Sequence, residues 1–341
     1  AVLLALAVDP QVPSTLYGGA EFAGAFKSTD GGMKWYEINS GLPLMPFHIG
    51  HLVVDPQTPS TVYAGTRGSG IFKSTNGGAS WSLINTGIPM TKYYDDRSVY
   101  VDGTGLPTIA VSALAIDPQV PSTVYAAVLG SGIFKTTNGG ASWSAINTGL
   151  IVRDEAQRSG FGPDLIVALA IDPEMPSTVY AGTDHSRVFK TMNGGESWSE
   201  TGLSFKDSDR VRGVHTMVID PKVSGTVYAV TGISGVFKST DAGASWSAVN
   251  TGLRGSNDGY VITALAVDPQ VSSTLYAGAA YGVFISMNGG ASWIDVNTGL
   301  PVIPFLQVVK FLVIDPQVPS TVYAGTSGIN GVYKSTNAGA R

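Results

Sequence analysis

The chain has no cysteine, which excludes disulfides and thiolate metal sites but leaves every compartment open. Charge is scarce as well. Asp, Glu, Lys and Arg make up 13% of 341 residues, with a formal balance of −5 at pH 7. That balance leaves no basic footprint, so no nucleic acid partner is expected. No run of about 18 apolar residues occurs, and no membrane span is predicted. No signal peptide is legible, although a chain whose first residue already reads as strand is compatible with a removed leader.

Glycine, by contrast, is plentiful at 43 residues, which suits a turn-dense all-β protein. The stretch Ala113 to Leu150 (ALAIDPQVPSTVYAAVLGSGIFKTTNGGASWSAINTGL) recurs along the whole length. Its Asp-Pro pair falls at Asp9, Asp55, Asp117, Asp172, Asp220, Asp268 and Asp315, at spacings of 46, 62, 55, 48, 48 and 47 residues. A period in the forties carrying several short strand signals marks a propeller blade. Ala113–Ile116 is apolar on both faces and reads as the innermost strand. Thr123–Ala127, Gly132–Thr136 and Ser142–Asn147 read as the second, third and outermost strands, rich in β-branched and aromatic residues. Asp-Pro-Gln-Val-Pro-Ser-Thr supplies the first turn, and Asn138-Gly139-Gly140 a hairpin.

The predicted fold is therefore a single-domain, seven-bladed β-propeller of four-stranded antiparallel blades. The blades start near residues 1, 47, 109, 164, 212, 260 and 307. Blade 7 is expected to lack its outer strand, because its last motif is cut at Arg341. A cut inside a motif leads to the expectation that the natural chain continues, and the open edge offers a route into a larger surface assembly.

The run Ser28-Thr-Asp-Gly-Gly-Met-Lys-Trp35 recurs in the other blades and resembles the Asp-box, or BNR, repeats. Such repeats occur in sialidases, sortilin-type receptors, xyloglucan-active glycosidases and YCF48-type photosynthetic assembly factors. The resemblance covers all seven repeats and implies a propeller that is secreted, periplasmic or at the cell surface. It implies little about activity, because the box is a turn device shared by unrelated proteins. The box residue is Asp at Asp30 and Asp241 but Asn at Asn76, Asn138, Asn193, Asn288 and Asn337. Either side chain accepts bonds from turn amides, so a structural role is expected, with no metal and no cofactor.

Function is expected where the copies differ. In a four-stranded blade the Asp-Pro turns and the boxes share one face of the disc. The opposite face carries the blade-to-blade loops and the loops joining second and third strands. Eight of the nine arginines fall in those variable loops, whereas six of eleven lysines repeat in the third strand (Lys27, Lys73, Lys135, Lys190, Lys238, Lys334), a position expected to be solvated. Contact candidates on the variable face are Tyr93, Tyr94, Arg97, Tyr100, Arg153, Arg158, Arg210, Arg212 and Tyr260. Tyrosines mixed with charges on a rigid scaffold suit a protein or glycan partner. The alternative is a glycoside hydrolase, sialidase- or xyloglucanase-like, which needs two carboxylates. The acids on this face are Asp95, Asp96, Asp154, Glu155, Asp207, Asp209 and Asp258, and none sits in an identifying motif. The Phe-Arg-Ile-Pro motif of sialidases is missing. His48, His51 and His215 fall in or just before the inner strands of blades 2 and 5, which are not neighbours in a ring of seven.

Overall fold

Every repeat folds as the alternating pattern requires, into an antiparallel sheet. The structure is a computed structural model that describes residues 2–43, 48–90, 108–150, 164–203, 213–254, 261–300, 308–326 and 331–340. Blade 3 is representative, with strands Ile109–Ile116, Val124–Val128, Gly132–Thr136 and Ser144–Ala145 in spatial order. Ala126 pairs with Leu114 on one side and Phe134 on the other. Six such four-stranded units follow one another, and those of blades 2 and 3 are joined by pairing of Arg67 with Ala110 and Gly68 with Ile109. The last unit has three strands, Val309–Ile314, Val322–Thr326 and Val332–Ser335. The seven first strands pack side by side in a closed circuit, Leu3–Val8 lying against both Ile49–Val54 and Val309–Ile314. The chain is thus a β-propeller. Among the described residues no helix is long and apolar enough to cross a membrane.

Two strand boundaries differ from the sequence reading. The inner strand of blade 3 begins at Ile109, upstream of Ala113, and a register shift between Ala127 and Val128 bends it. The outermost strand shrinks to Ser144–Ala145. The reason lies in Asn147, whose Oδ1 accepts from the Ile133 amide at 2.7 Å while its Nδ2 donates to the Ser131 carbonyl at 2.9 Å. A side chain there takes over from the backbone ladder.

The turns of one face are tied to each other. Asp117 Oδ1 accepts from the amides of Gln119 and Val120 at 2.8 and 2.9 Å. The Gly139 amide donates to the Ser122 carbonyl at 2.8 Å, joining the second turn to the first. Within that second turn Asn138 Oδ1 accepts from the Ser142 amide at 3.0 Å, and Asn138 Nδ2 donates to Ser142 Oγ at 2.9 Å. At the equivalent Asp241 the polarity is reversed, with the Ser245 hydroxyl donating to Oδ2. The hydroxyl and amide of Ser245 bring the Asp241 carboxyl down to about 2. An acid and an amide hold the same turn because the serine opposite donates or accepts as needed.

Adjacent blades are latched by three repeated devices. First, the indole of Trp143 is buried and donates to the Ile84 carbonyl of the preceding blade at 2.7 Å, as do Trp81, Trp198 and Trp293 to theirs. Second, Lys135 Nζ lies 5.3 Å from the centroid of the Tyr125 ring and donates to the Gly194 carbonyl of the next blade at 2.9 Å. Lys27, Lys73, Lys135 and Lys238 all make this bond and are half-buried rather than at the solvated positions expected, whereas Lys334 of blade 7 is exposed as expected. A cation held over an aromatic face and bonded to a carbonyl is a blade-to-blade contact. Third, Gln11, Gln57, Gln119, Gln270 and Gln317 each donate to two carbonyls of the next Asp-Pro turn, and Gln317 reaches Pro10 and Gln11 to close the ring.

Where Gln is replaced, by Glu174 and Lys222, the next blade has exchanged its turn proline for Ser224 or Ser272. Those hydroxyls donate back to Asp172 Oδ2 at 2.7 Å and Asp220 Oδ1 at 2.6 Å. The lost amide donor is replaced by a hydroxyl donor from the other side of the seam.

Burial, with the nearby Asp-Pro carboxylates adding, pushes Tyr17, Tyr63, Tyr125, Tyr180, Tyr228 and Tyr276 up from 10.0 to about 12. A raised folded pKa favours the neutral phenol in the native state, so its contribution is complete below pH 10 and is lost as pH rises through 10 towards 12. The expected result is a fall in unfolding free energy over that window. A spectrophotometric titration should show these six of the 14 tyrosines ionising late; simultaneous ionisation of all 14 near pH 10 would contradict it.

Candidate functional site on the variable face

The nine contact candidates Tyr93, Tyr94, Arg97, Tyr100, Arg153, Arg158, Arg210, Arg212 and Tyr260 lie outside the described residues. So do Asp95, Asp96, Asp154, Glu155, Asp207, Asp209 and Asp258. The same face nevertheless presents a described group that the sequence reading passed over. It is built at blade 4, between the connections 151–163 and 204–212 that carry many of those candidates.

Blades 1, 2, 3, 5 and 6 end the loop between second and third strands in glycine, at Gly24, Gly70, Gly132, Gly235 and Gly282. The reason is steric: a Cβ on Gly132 would lie 2.4 Å from Asn147 Oδ1. Blade 4 has no such asparagine, because only three residues separate Trp198 from Gly202, against five between Trp143 and Gly149. With the asparagine gone, a side chain fits, and Arg187 occupies the position.

Arg187 Nε reaches Asp164 Oδ2 at 3.5 Å and Glu200 Oε1 at 3.8 Å. His185 Nδ1 lies 2.9 Å from Asp184 Oδ1 and 3.3 Å from Asp164 Oδ1. Asp184 Oδ1 also accepts from the Leu165 amide at 2.8 Å, pinning the loop to the start of the inner strand. Between them Ser186 takes φ +64 and is buried, strain that the flanking ion pairs sustain. The Asp164 carboxylate is buried beneath the others, with 3% of its side chain exposed, whereas Asp184, His185, Arg187 and Glu200 are each about a third exposed or somewhat less. A buried acid thus organises an outer layer of two carboxylates, a guanidinium and an imidazole. Such a layer offers both donors and acceptors to hydroxyl, amide or charged groups of a ligand. The signal was present in the sequence as an Arg in place of Gly and a two-residue deletion in one blade.

A second individual feature lies at the rim between blades 1 and 2. Phe22, half exposed and at φ +55, packs tilted against His48 with ring centroids 4.3 Å apart and an interplanar angle of 58°. His48 Nδ1 is 3.9 Å from Glu21 Oε1. Burial holds the His48 pKa below its ordinary value, Glu21 opposing and Arg67 assisting. Deeper in, burial and then the Arg67 charge bring His51 down to about 4, so it is neutral at pH 7. The exposed Phe22 ring is the one described aromatic face here suited to stacking on a sugar or a side chain.

No family profile matches the chain, and no curated protein matches it. Solved structures do. A GH74 xyloglucanase from Xanthomonas campestris is similar at TM-score 0.74 and 17% identity over 98% of this chain and 52% of its own. YCF48 from Cyanidioschyzon merolae is similar at TM-score 0.63 and 15% identity over 99% and 95%. The extracellular domain of a one-component system of B. thetaiotaomicron is similar at TM-score 0.63 and 15% identity over 98% and 38%. The chain thus spans about half the length of the xyloglucanase. These likenesses establish the propeller fold, in one enzyme and in proteins of other kinds.

Proposed function

We propose that this propeller is a non-enzymatic binding or scaffold module, outside the cell or at its surface, that takes a protein or glycan on the variable face. The observation that supports the reading is the contrast between the faces. On the Asp-Pro face the repeated Asp, Asn and Gln side chains are used in blade-to-blade or turn bonds, and the replacement of Gln at Glu174 and Lys222 is compensated by Ser224 and Ser272. On the other face blade 4 has given up a structural asparagine and gained a set of charges about a third exposed over a buried carboxylate. The segments that flank blade 4 in the sequence carry Arg153, Arg158, Arg210 and Arg212, and these, with Tyr93, Tyr94, Arg97, Tyr100 and Tyr260, are the further contact residues of this reading.

The test is a binding screen against glycans and peptides, repeated with Arg187→Ala, Tyr94→Ala and Arg97→Ala. For a true ligand each substitution is expected to weaken binding about tenfold, equivalent to roughly 1.4 kcal/mol, while Gln119→Ala on the opposite face leaves it unchanged. Equal effects from both faces would overturn the assignment. A second reading, glycoside hydrolysis by a carboxylate pair on this face, draws on the xyloglucanase likeness and on the acids of the variable loops. New reducing ends released from an oligosaccharide in the same screen would select it.

A further inference from the structure

Each of the seven inner strands runs into an Asp-Pro turn, and the turns form a ring around the channel on one face of the disc. The repeated acid lies inside its turn rather than on the surface, buried in six of the seven copies and accepting from amides of its own turn. The residue three places after it is exposed instead. Val12, Val120, Met175, Val223, Val271 and Val318 are each about half exposed, and blade 2 has Thr58 there. A single exposed valine is ordinary on a protein surface, but here the same position repeats around a ring whose turns are bonded to one another. The result is an apolar band rather than scattered side chains. Inside the band the surface dips into a recess lined by apolar residues, among them Ile116, Ile171, Ile219, Pro118, Pro221 and Pro269.

Two charges interrupt the ring. Glu174 in blade 4 and Lys222 in blade 5, both exposed, stand where the other five turns have Gln. They are neighbours and opposite in sign, and the Ser224 and Ser272 hydroxyls have taken over the seam bonds at their positions. A twofold axis lying in the plane of the face, along the seam between blades 4 and 5, exchanges the two positions. Two copies stacked face to face about it set Glu174 of one against Lys222 of the other, twice. The same axis opposes blade 3 to blade 6, blade 2 to blade 7 and blade 1 to itself. Val120 then faces Val271 of the partner subunit, and Val12 faces its own copy. Every other in-plane twofold of a seven-bladed ring sets these charges against glutamine or against their own kind.

We propose that the Asp-Pro face is a self-association surface, on which two copies of this chain stack face to face about the axis along the seam of blades 4 and 5. The apolar band supplies the buried surface, and the two Glu174–Lys222 pairs fix the rotation of one disc on the other. An interface of standard size takes about 800 Å² from each partner, or roughly 110 Å² from each of seven turns. Turns such as that of blade 3, with Gln119, Val120 and Ser122 all exposed, have that much to give. Further out, Met192 and Met287 hold the same place in the boxes of blades 4 and 6, are 68% and 66% exposed, and widen the apolar surface. Glu196 and Asp241, on the boxes of blades 4 and 5, are brought towards each other as like charges, which confines close contact there to the inner ring. The variable faces of both copies point outward, so the stacking is independent of any ligand they take.

Sedimentation equilibrium of the 341-residue protein tests it, with a mass twice the 35.4 kDa of one chain expected at micromolar concentration. Glu174→Lys and Lys222→Glu should each raise the dimer dissociation constant about tenfold or more, because each sets like charge on like at two symmetric places. The double variant should return to within about threefold of the original protein. An equimolar mixture of the two single variants should pair with each other, although each alone is weakened. Val120→Asp should prevent pairing, whereas Arg254→Ala, away from this face, should leave it unchanged. Both charge positions are exposed in turns, so these variants keep the fold, which circular dichroism checks. A monomer at every concentration, pairing that the single charge reversals leave intact, or equal weakening in the single and double variants would each overturn the proposal.

Discussion

Gly149→Val is expected to lower the unfolding free energy by about 4 kcal/mol, among the largest effects a single substitution produces. Two costs combine. Gly149 sits at φ +86, where a β-branched residue is strained by roughly 1–3 kcal/mol. Its Cβ would also lie 2.1 Å from the Trp198 carbonyl oxygen, a backbone atom that moves only if blade 4 moves away from blade 3. Gly331→Val separates the two costs, because Gly331 is at φ +72 with open space beside it. It should show the strain alone, about 1–2 kcal/mol. Urea denaturation of both variants decides the matter, and equal losses would show that the seam is not rigid at Gly149.

Trp143→Ala should cost about 4 kcal/mol, in the range for buried aromatic truncations. The equivalent Trp246→Ala should cost about half as much by the same measure. Trp143 is 3% exposed and its indole crosses the seam to Ile84. Trp246 is only partly buried and bonds Gly243 in its own turn, because shortened blade 4 offers no equivalent carbonyl. The pair compares the same residue in the same local turn with and without a neighbour to grip. Thermal melts with matched heat capacities give the two values, and equal losses would mean that the indole stabilises its own turn rather than the seam.

The blade pattern was legible because it is local and repeated. A doubly buried inner strand, an Asp-Pro turn and an Asn-Gly-Gly hairpin each announce themselves within a few residues. The three-stranded last unit followed from counting the same signals to Arg341. The latches between blades were not legible, because they join residues 43 or more apart. The third-strand lysines show the difficulty. Alternation places them on a polar strand face, and only the next blade's Gly77, Gly139, Gly194 or Gly289 carbonyl turns that position into a latch. The exchange of Gln for Lys222 alongside the appearance of Ser272 is likewise visible in the sequence but has no meaning until the two turns are seen side by side. Individuality drew the sequence reading to the long loops of the variable face, whose candidates lie outside the described residues. The cluster of Asp164, Asp184, His185, Arg187 and Glu200 carries a fainter signal, a deletion in one short strand rather than a long loop.

The uneven distribution of indole latches divides the disc. Tryptophans bridge blades 1 to 2, 2 to 3, 3 to 4 and 5 to 6, but the contact between 4 and 5 has none. There the turn also carries Ala242 in place of the glycine that receives a lysine elsewhere. That seam is held instead by the Gly202 amide on the Gly243 carbonyl at 2.9 Å and by Ser224 on Asp172 at 2.7 Å, and it runs beside the charged layer of blade 4, where Asp184 packs on Gly213 of blade 5. A ligand that grips only blade 4 leaves this seam as it is. One that spans both blades adds a clasp where the indole is missing, so its affinity and the thermal stability of the ring are expected to rise and fall together.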